Sequence, residues 1–459
     1  MMRIHILQES SFFSHITTNG AFGKGTTRPM NMRIAYGKEG LDISVPEQNV
    51  VKILRMAEKP VIPDPVEETW RKISSPFGTA PLGELARGKR TACIVVSDIT
   101  RPVPNSVIVP PIIEEIERAG IKPRDITILI ATGIHRPNEG EELTALLGAE
   151  LPNKYRVVNH MPRDLESHRY LGETQLYKAP IYVDKRFLDA DLSILTGLIE
   201  PHIMAGYSGG RKAVVPGISA FETLKVLHGF QCMAHPKNIE GTIEGNTFHK
   251  EALSIARLVK TDFIVNVTLN ERREITGIFA GDLDEAHREG VRFMSSQCIS
   301  LLDAPVDAVI TTSAGYPLDL TFYQSVKGMT AAQWIVKPGG VIIIAARIAE
   351  GIGSPEFTKL MFETDTIEEF IHRIEDSDEV ILDQWQLQKF CQVLEKQEVW
   401  MYSEGLDHET LKKLLVTPLE RIEEGIANVL ERFGPGARIA VIPEGPYVYA
   451  CIDRSENVS

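Results

Sequence analysis

Asp98, Arg101, His135 and His202 each follow a short apolar run, and they are residue types that bind small acids and move their protons. A guanidinium grips a carboxylate through two parallel hydrogen bonds, and an imidazole exchanges protons near neutral pH. A lone histidine or arginine in a loop is usually plain polar surface; several of them converging on one cleft are stronger. The run Ser208, Gly209, Gly210, Arg211, Lys212 reads as an anion cradle, with bare backbone N–H groups and two cations. It is not a P-loop, because Arg211 stands where that motif needs glycine. The plainer alternative is a tight turn with solvated basic residues. His228, Cys232 and His235 have a helical spacing that could serve part of a zinc site. Gly229 weakens that helix, and no second Cys or His pair follows at finger spacing. Gln324 and Lys327 share a helix face at i, i+3, which either turns an amide and an ammonium towards an anion or forms a solvated stripe. Trp385 either walls the same cleft or packs at a helix start.

The elements that must position these groups alternate between strand and helix. Apolar runs over 92–96, 126–131, 192–196 and 263–268 read as buried strands, with helical periodicity over 107–119 and 141–147 between some of them. Such alternation indicates a largely parallel α/β sheet, in which ligands bind beyond the carboxyl ends of the strands. A second unit is expected from about residue 306. A strand over 308–312, a helix over 322–336 and a strand over 340–346 form a βαβ unit, with Pro338, Gly339 and Gly340 as its turn. Helices over 355–376, 384–396, 407–415 and 418–433 and a strand over 399–403 follow. The fold class is therefore α/β, with two α/β domains and the site in the cleft between them. The expected division is a disordered extension over 1–29, an N-terminal catalytic domain over 30–303 to which 438–459 returns, and a C-terminal closing domain over 304–437.

Composition narrows the function. Of 459 residues, 43 % are hydrophobic and 24 % charged, which excludes a disordered or fibrous chain. A formal charge of −13 without a long basic run argues against nucleic-acid and anionic-membrane partners. No apolar run approaches the ~18 residues of a membrane span. Five scattered cysteines without a Cys-x-x-Cys pair suit a reducing compartment, and with no secretory signal at the N-terminus the expected location is the cytoplasm.

Taken in order, these residues resemble the nickel-dependent lactate racemase family from about residue 30 to the C-terminus. His202 precedes Lys212 by ten residues and His228 follows it by sixteen. Asp98 and Arg101, the His135 loop, Gln324 and Lys327, and the ending Pro443, Glu444, Gly445, Pro446, Tyr447 fall in the family's order. The resemblance implies nickel held in a nickel-pincer nucleotide, a pyridinium mononucleotide with two sulfur-containing arms. Lys212 would join one arm through a thioamide and His228 would be the protein's nickel ligand. His135 and His202 would be the acid/base pair. Arg101 and Lys327 would hold the substrate carboxylate, Gln324 would assist and Trp385 would line the pocket. Asp98 would hold the nucleotide or the loop around it, and the nucleotide phosphate would fit the turn Ser208, Gly209, Gly210. Cofactor-synthesis proteins are implied as partners.

The implied activity is racemisation or epimerisation of a small-molecule 2-hydroxy acid, lactate by default. A carbon acid beside an ionised carboxylate is too weak for easy proton abstraction by histidine, so hydride loss from Cα to the cofactor, through a 2-keto acid, is the easier route. The same chemistry on malate, an aromatic hydroxy acid or a sugar acid is the nearest alternative. A zinc-dependent hydrolase using His228, Cys232 and His235 is a rival of another class. A nucleotide-binding regulatory protein is a third, and His135 and His202 at two strand ends argue against it.

Overall fold

The structure, a computed structural model, describes residues 28–375, 377 and 380–453. The expected disordered extension over 1–29 lies outside the described residues except for its last two, and Pro29 already opens the strand Pro29–Ile34. Residues 454–459 of the expected returning segment also lie outside them.

Two six-stranded sheets organise the chain. The first runs Ile275–Gly281, Phe263–Leu269, Leu192–Leu198, Ala92–Ser97, Ile126–Ala131, Arg156–Asn159 in spatial order. It is parallel except for the edge strand Ile275–Gly281, which returns antiparallel to its neighbour. Its strands carry apolar side chains on both faces because helices cover both. Along Ala92–Ser97, Ile94 and Val96 enter the core under one face, and Cys93 and Val95 the core under the other. The chain leaves Ala92–Ser97 towards one edge and later adds Leu192–Leu198 on the opposite side. The loops after these two central strands therefore part at their carboxyl ends and open a crevice. Asp98 and Arg101 follow one of them, and Glu200 and His202 the other.

The second sheet is fully parallel, in the order Thr417–Leu419, Glu398–Tyr402, Val336–Ala345, Val306–Thr312, Ile439–Ile442, Val50–Ile53. Here the expected division needs correcting. Ile439–Ile442 pairs with Val306–Thr312 and Val50–Ile53, so it completes the second sheet and does not return to the first. The strand Tyr449–Ile452 pairs with Ile299–Leu302 at the junction of the two units. The hairpin Pro29–Ile34 and Leu41–Pro46 also belongs with the second sheet, packing Ile34, Tyr36, Ile43 and Val45 against Ile310, Ile343 and Val441.

Three local expectations change as well. Pro338, Gly339 and Gly340 do not separate helix from strand. The helix ends at Ala332, and the three residues bulge out of the strand Val336–Ala345, whose register against Val306–Thr312 slips there. The expected helix over 355–376 is two, Pro355–Phe362 and Ile367–Glu375. Thr364 turns its hydroxyl back to the Leu360 carbonyl, and the Thr366 hydroxyl accepts the Glu369 N–H to start the second helix. The expected helix over 418–433 begins later, at Ile422, after the edge strand Thr417–Leu419.

The two units meet across the crevice through buried polar contacts. Helix Gln384–Leu394 sends the Lys389 ammonium to the carbonyls of Met233 and Asn238 at 3.1 and 2.9 Å. Helix Phe322–Ala332 lies beside it and brings Tyr323, Gln324 and Lys327 to the crevice. No helix among the described residues is long and apolar enough to cross a membrane.

Candidate active site

A cavity of about 190 Å³ occupies the crevice. A second, of about 300 Å³, adjoins it and shares Arg101, His202 and Lys327. Together they reach the ~300–1,000 Å³ of small-molecule and cofactor sites. Asp98, Arg101, His135, His202, Ser208, Gly209, Lys212, His228, Gln324, Lys327 and Trp385 all line the first cavity. Of the residues that the family resemblance assigns to the site, Gly210 is absent from its wall, and Arg211, Cys232 and His235 are absent as well.

The turn at Ser208 differs from the expected anion cradle. The Ser208 hydroxyl donates to the Leu198 carbonyl at 2.6 Å and accepts the Glu200 N–H at 3.0 Å, while its own N–H bonds Glu200. The Gly210 N–H donates to Asn266 Oδ1 at 2.8 Å. Arg211 is not solvated but 1 % exposed, donating to the carbonyls of Ala205 and Tyr207 at 2.7 and 2.8 Å and to His287 Nε2 at 2.7 Å. Burial pushes its pKa down to about 9, so it stays protonated at neutral pH. Arg211 thus staples the loop from inside. Gly209 has φ +76, and a Cβ there would sit 2.9 Å from Asn266 Oδ1, so only glycine fits. The loop is pinned by these bonds and presents Lys212 to the cavity beside Ser208 and Gly209.

Lys212 is surrounded by like charge. Its pKa is driven well below the usual value, first by burial and then by Arg101, Arg211 and Lys327, with Glu200 opposing. The ammonium lies 5.4 Å from the centre of the Phe248 ring. A buried amine that holds its proton less tightly is a better nucleophile and tolerates acylation without losing a salt bridge. His228 follows helix Phe221–Leu227, whose turn brings its Nδ1 to the Leu224 carbonyl at 3.2 Å. That bond puts the proton on Nδ1 and leaves Nε2 with a lone pair, the form in which histidine binds a metal. Burial first, then Lys212, pushes its pKa down to about 3, so it remains neutral. Trp385 packs edge-on against it at 5.2 Å and donates its indole N–H to the Tyr323 hydroxyl at 3.3 Å. His228 and Lys212 therefore fit a nickel-bearing group anchored by an acylated lysine.

Cys232 and His235 do not join His228. Cys232 is buried in the core, where its carbonyl and sulfur accept from Asn238, and its thiol pKa is pushed up to about 12 by burial. Among the described residues these three form no metal-holding group. The zinc site that a hydrolase would need is not assembled there.

The two histidines differ. His135 Nδ1 meets Asp98 Oδ2 at 2.7 Å, and Asp98 is buried while His135 is half-exposed. Asp98 also accepts the Thr100 hydroxyl at 2.7 Å. His135 Nδ1–H therefore donates to the carboxylate, which leaves His135 Nε2 as an acceptor. His202 Nδ1 instead accepts the N–H groups of Met204 and Ala205, each at 3.3 Å. Burial, then Lys212, Arg101, Lys327 and His228, keep its pKa well below 6.5 and the ring neutral.

Arg101 and Lys327 both reach the cavity from opposite sides. Glu200 pairs with Arg101 at 2.7 Å, a partner the sequence reading passed over although Glu200 sits two residues from His202. Lys327 has its pKa pushed down to about 7 by burial and Arg101, against Glu200. Gln324 Oε1 is buried without a hydrogen-bond partner, so it can accept from a bound hydroxyl. Tyr323 and Gln386 complete this wall, Gln386 Nε2 donating to the Tyr323 carbonyl at 2.7 Å.

Known proteins resemble this chain along most of its length. Residues 36–241 match the lactate racemase N-terminal domain and residues 302–449 the lactate racemase C-terminal domain. A lactate racemase of Thermoanaerobacterium thermosaccharolyticum is 34 % identical over 420 residues, 90 % of this chain and 98 % of that protein. One from Lactiplantibacillus plantarum is 35 % identical over 381 residues, 83 % of this chain and 89 % of that protein. The lactate racemase apoprotein structure from T. thermosaccharolyticum superposes with a TM-score of 0.87 at 33 % identity, covering 92 % of this chain and all of that one. A Thermotoga maritima protein at 19 % identity, TM-score 0.65, shares the fold over 86 % of this chain.

Proposed function

The chain belongs to the lactate racemase family, and from that premise we propose that it is an isomerase that interconverts the enantiomers of a 2-hydroxy acid, with lactate as the default substrate. The observation that carries this reading is the gathering of two histidines, two carboxylate-binding cations, a buried lysine and a metal-competent histidine in one cavity. Lys212 would anchor a nickel-pincer nucleotide and His228 Nε2 would bind its nickel. That group, when bound, supplies the acceptor for the Cα hydrogen as hydride.

The protein's own residues supply everything else. Arg101 and Lys327 bind the substrate carboxylate, with Glu200 fixing the guanidinium plane. Gln324, one turn from Lys327 on the same helix, assists them through its amide N–H₂. His135, with its Nδ1 proton held by Asp98, takes the hydroxyl proton at Nε2. His202 serves the opposite face of the reoriented 2-keto acid. This assigns Asp98 to positioning His135, in place of holding the nucleotide. The fold is read as a cofactor-bearing unit around the first sheet and a closing unit around the second. The cytoplasm, where cofactor-synthesis proteins can load it, is the proposed location.

The reading is tested by offering the loaded enzyme single enantiomers of lactate, malate, an aromatic hydroxy acid and a sugar acid and following optical purity. Racemisation of lactate supports it, inversion of another acid alone moves the substrate within the class, and no change with any of them removes it.

A further inference from the structure

Behind the His135 loop, outside the cavity, three side chains meet in the interior: His160, His168 and Asp184, exposed by 0, 4 and 0 %. They come from separate places. His160 follows the edge strand Arg156–Asn159, and His168 and Asp184 are paired residues of the hairpin His168–Glu173 and Pro180–Asp184. Their nearest ligand atoms all lie within 4.8 Å of one another. The two Nε2 atoms face each other at 2.9 Å.

The far side of each ring is already tied to oxygen. His168 Nδ1 meets the Asp164 carbonyl at 2.8 Å, which places the proton on Nδ1 and a lone pair on Nε2. His160 Nδ1 lies 3.3 Å from the Thr132 hydroxyl, which itself donates to the His160 carbonyl at 2.8 Å and so can accept from the ring. This outer shell is the one metal-binding histidines use, with the distal nitrogen held by a carbonyl or hydroxyl, and the proton that joins the two Nε2 atoms is the one a metal would displace. Asp184 is likewise held. The Arg186 N–H and Nε–H both donate to Oδ1 and the Arg186 Nη2–H to Oδ2, leaving a lone pair on Oδ2 for a metal.

We propose that His160, His168 and Asp184 form a structural zinc site that fastens the hairpin to the loop carrying His135. Two imidazoles and a carboxylate are borderline donors of the kind zinc takes, with solvent as a fourth ligand. At Zn–N distances of about 2.05 Å a tetrahedral site separates its nitrogens by about 3.3 Å, so the rings need part by only ~0.4 Å. Thr132, which also lines the catalytic cavity, is the mechanical link between the two sites. The inference does not rest on the racemase reading, since none of the three residues lines that cavity.

The test uses the full chain, stripped with chelator, re-equilibrated with zinc and desalted. Metal content is then measured for wild type, His228→Ala and His168→Gln, whose folding is checked by circular dichroism. About one zinc per chain is expected in wild type and His228→Ala and none in His168→Gln. Zinc should raise the wild-type Tm by about 3 °C or more. If His168→Gln does not fold, cobalt(II) in the His228→Ala protein decides: an intense visible band of a four-coordinate site, displaced by zinc, is expected. Wild type that retains no zinc and shows no Tm shift overturns the proposal. So does zinc lost from His228→Ala and kept by His168→Gln, which would put the metal in the catalytic cavity.

Discussion

Replacing Asp98 by Asn separates two roles that the sequence leaves merged. Asn keeps the volume of a side chain that is 5 % exposed and can still accept the Thr100 hydroxyl. Its amide N–H₂ then faces His135 Nδ1, a donor against a donor, and the ring is driven to carry its proton on Nε2. A charge-assisted hydrogen bond of this kind is worth about 1.5–3 kcal/mol, and each ~1.4 kcal/mol is tenfold in rate. Because His135 is 52 % exposed, solvent can replace part of the contact, which favours the lower half of that range. The expected loss is therefore about 10- to 40-fold in kcat, with KM changed little, since Asp98 meets Arg101 only through its backbone carbonyl, which the substitution keeps. The assay is initial rate from either enantiomer by chiral chromatography, with nickel content and intact mass measured on the same sample. Asp98→Asn protein that keeps its nickel and mass adduct and loses no activity refutes the positioning role. Loss of the adduct would instead return Asp98 to holding the nucleotide.

Further tests concern other residues of the site. Lys212→Ala should abolish the mass increment of the loaded protein, and His228→Ala should lose nickel while circular dichroism stays unchanged; nickel and adduct surviving both changes would contradict the assignment. With Lys327 near a pKa of about 7 before substrate binds, its charge fades as pH rises through neutrality, so kcat/KM should fall from about pH 6 to pH 9 towards a plateau set by Arg101. A flat profile over that range, or Lys327→Met with unchanged KM, would remove it from carboxylate binding. Arg211→Met strips donors from two buried carbonyls and should cost about 2–5 kcal/mol, read as a lower denaturation midpoint; an unchanged midpoint would mean the internal staple carries no stability.

Unlike the edge strands Arg156–Asn159 and Ile275–Gly281, which were not expected, the four inner strands of the first sheet were legible because each announces itself locally, with an apolar run followed by a polar loop. That alone put Asp98, His135 and His202 at strand ends. Pairing partners far apart in sequence leave no such mark. Nothing local in Val50–Ile53 or Ile439–Ile442 says that these strands lie side by side in the second sheet, nearly four hundred residues apart. Pro338 and Gly339 looked like a turn because their chemistry is that of a turn, and a bulge inside a strand uses the same residues. Arg211 misled for a similar reason. A cation beside two glycines suggests an anion site, yet carbonyl groups curled around a guanidinium satisfy it equally well. Glu200 was in plain view beside His202, but only the folded crevice brings it to Arg101. His160, His168 and Asp184 share no motif spacing, and hairpin pairing is what makes them neighbours.

The central claim is that this cavity inverts a 2-hydroxy acid without exchanging its Cα hydrogen with water. The measurement that bears on it most directly is conversion of one lactate enantiomer in heavy water by protein made in a host that builds the cofactor, with chirality and Cα deuterium followed together. Hydride transfer leaves only the hydroxyl proton to His135 and His202, so the account predicts racemisation with almost no deuterium at Cα. Deuterium entering Cα at the rate of inversion would make the two histidines carbon bases and contradict it.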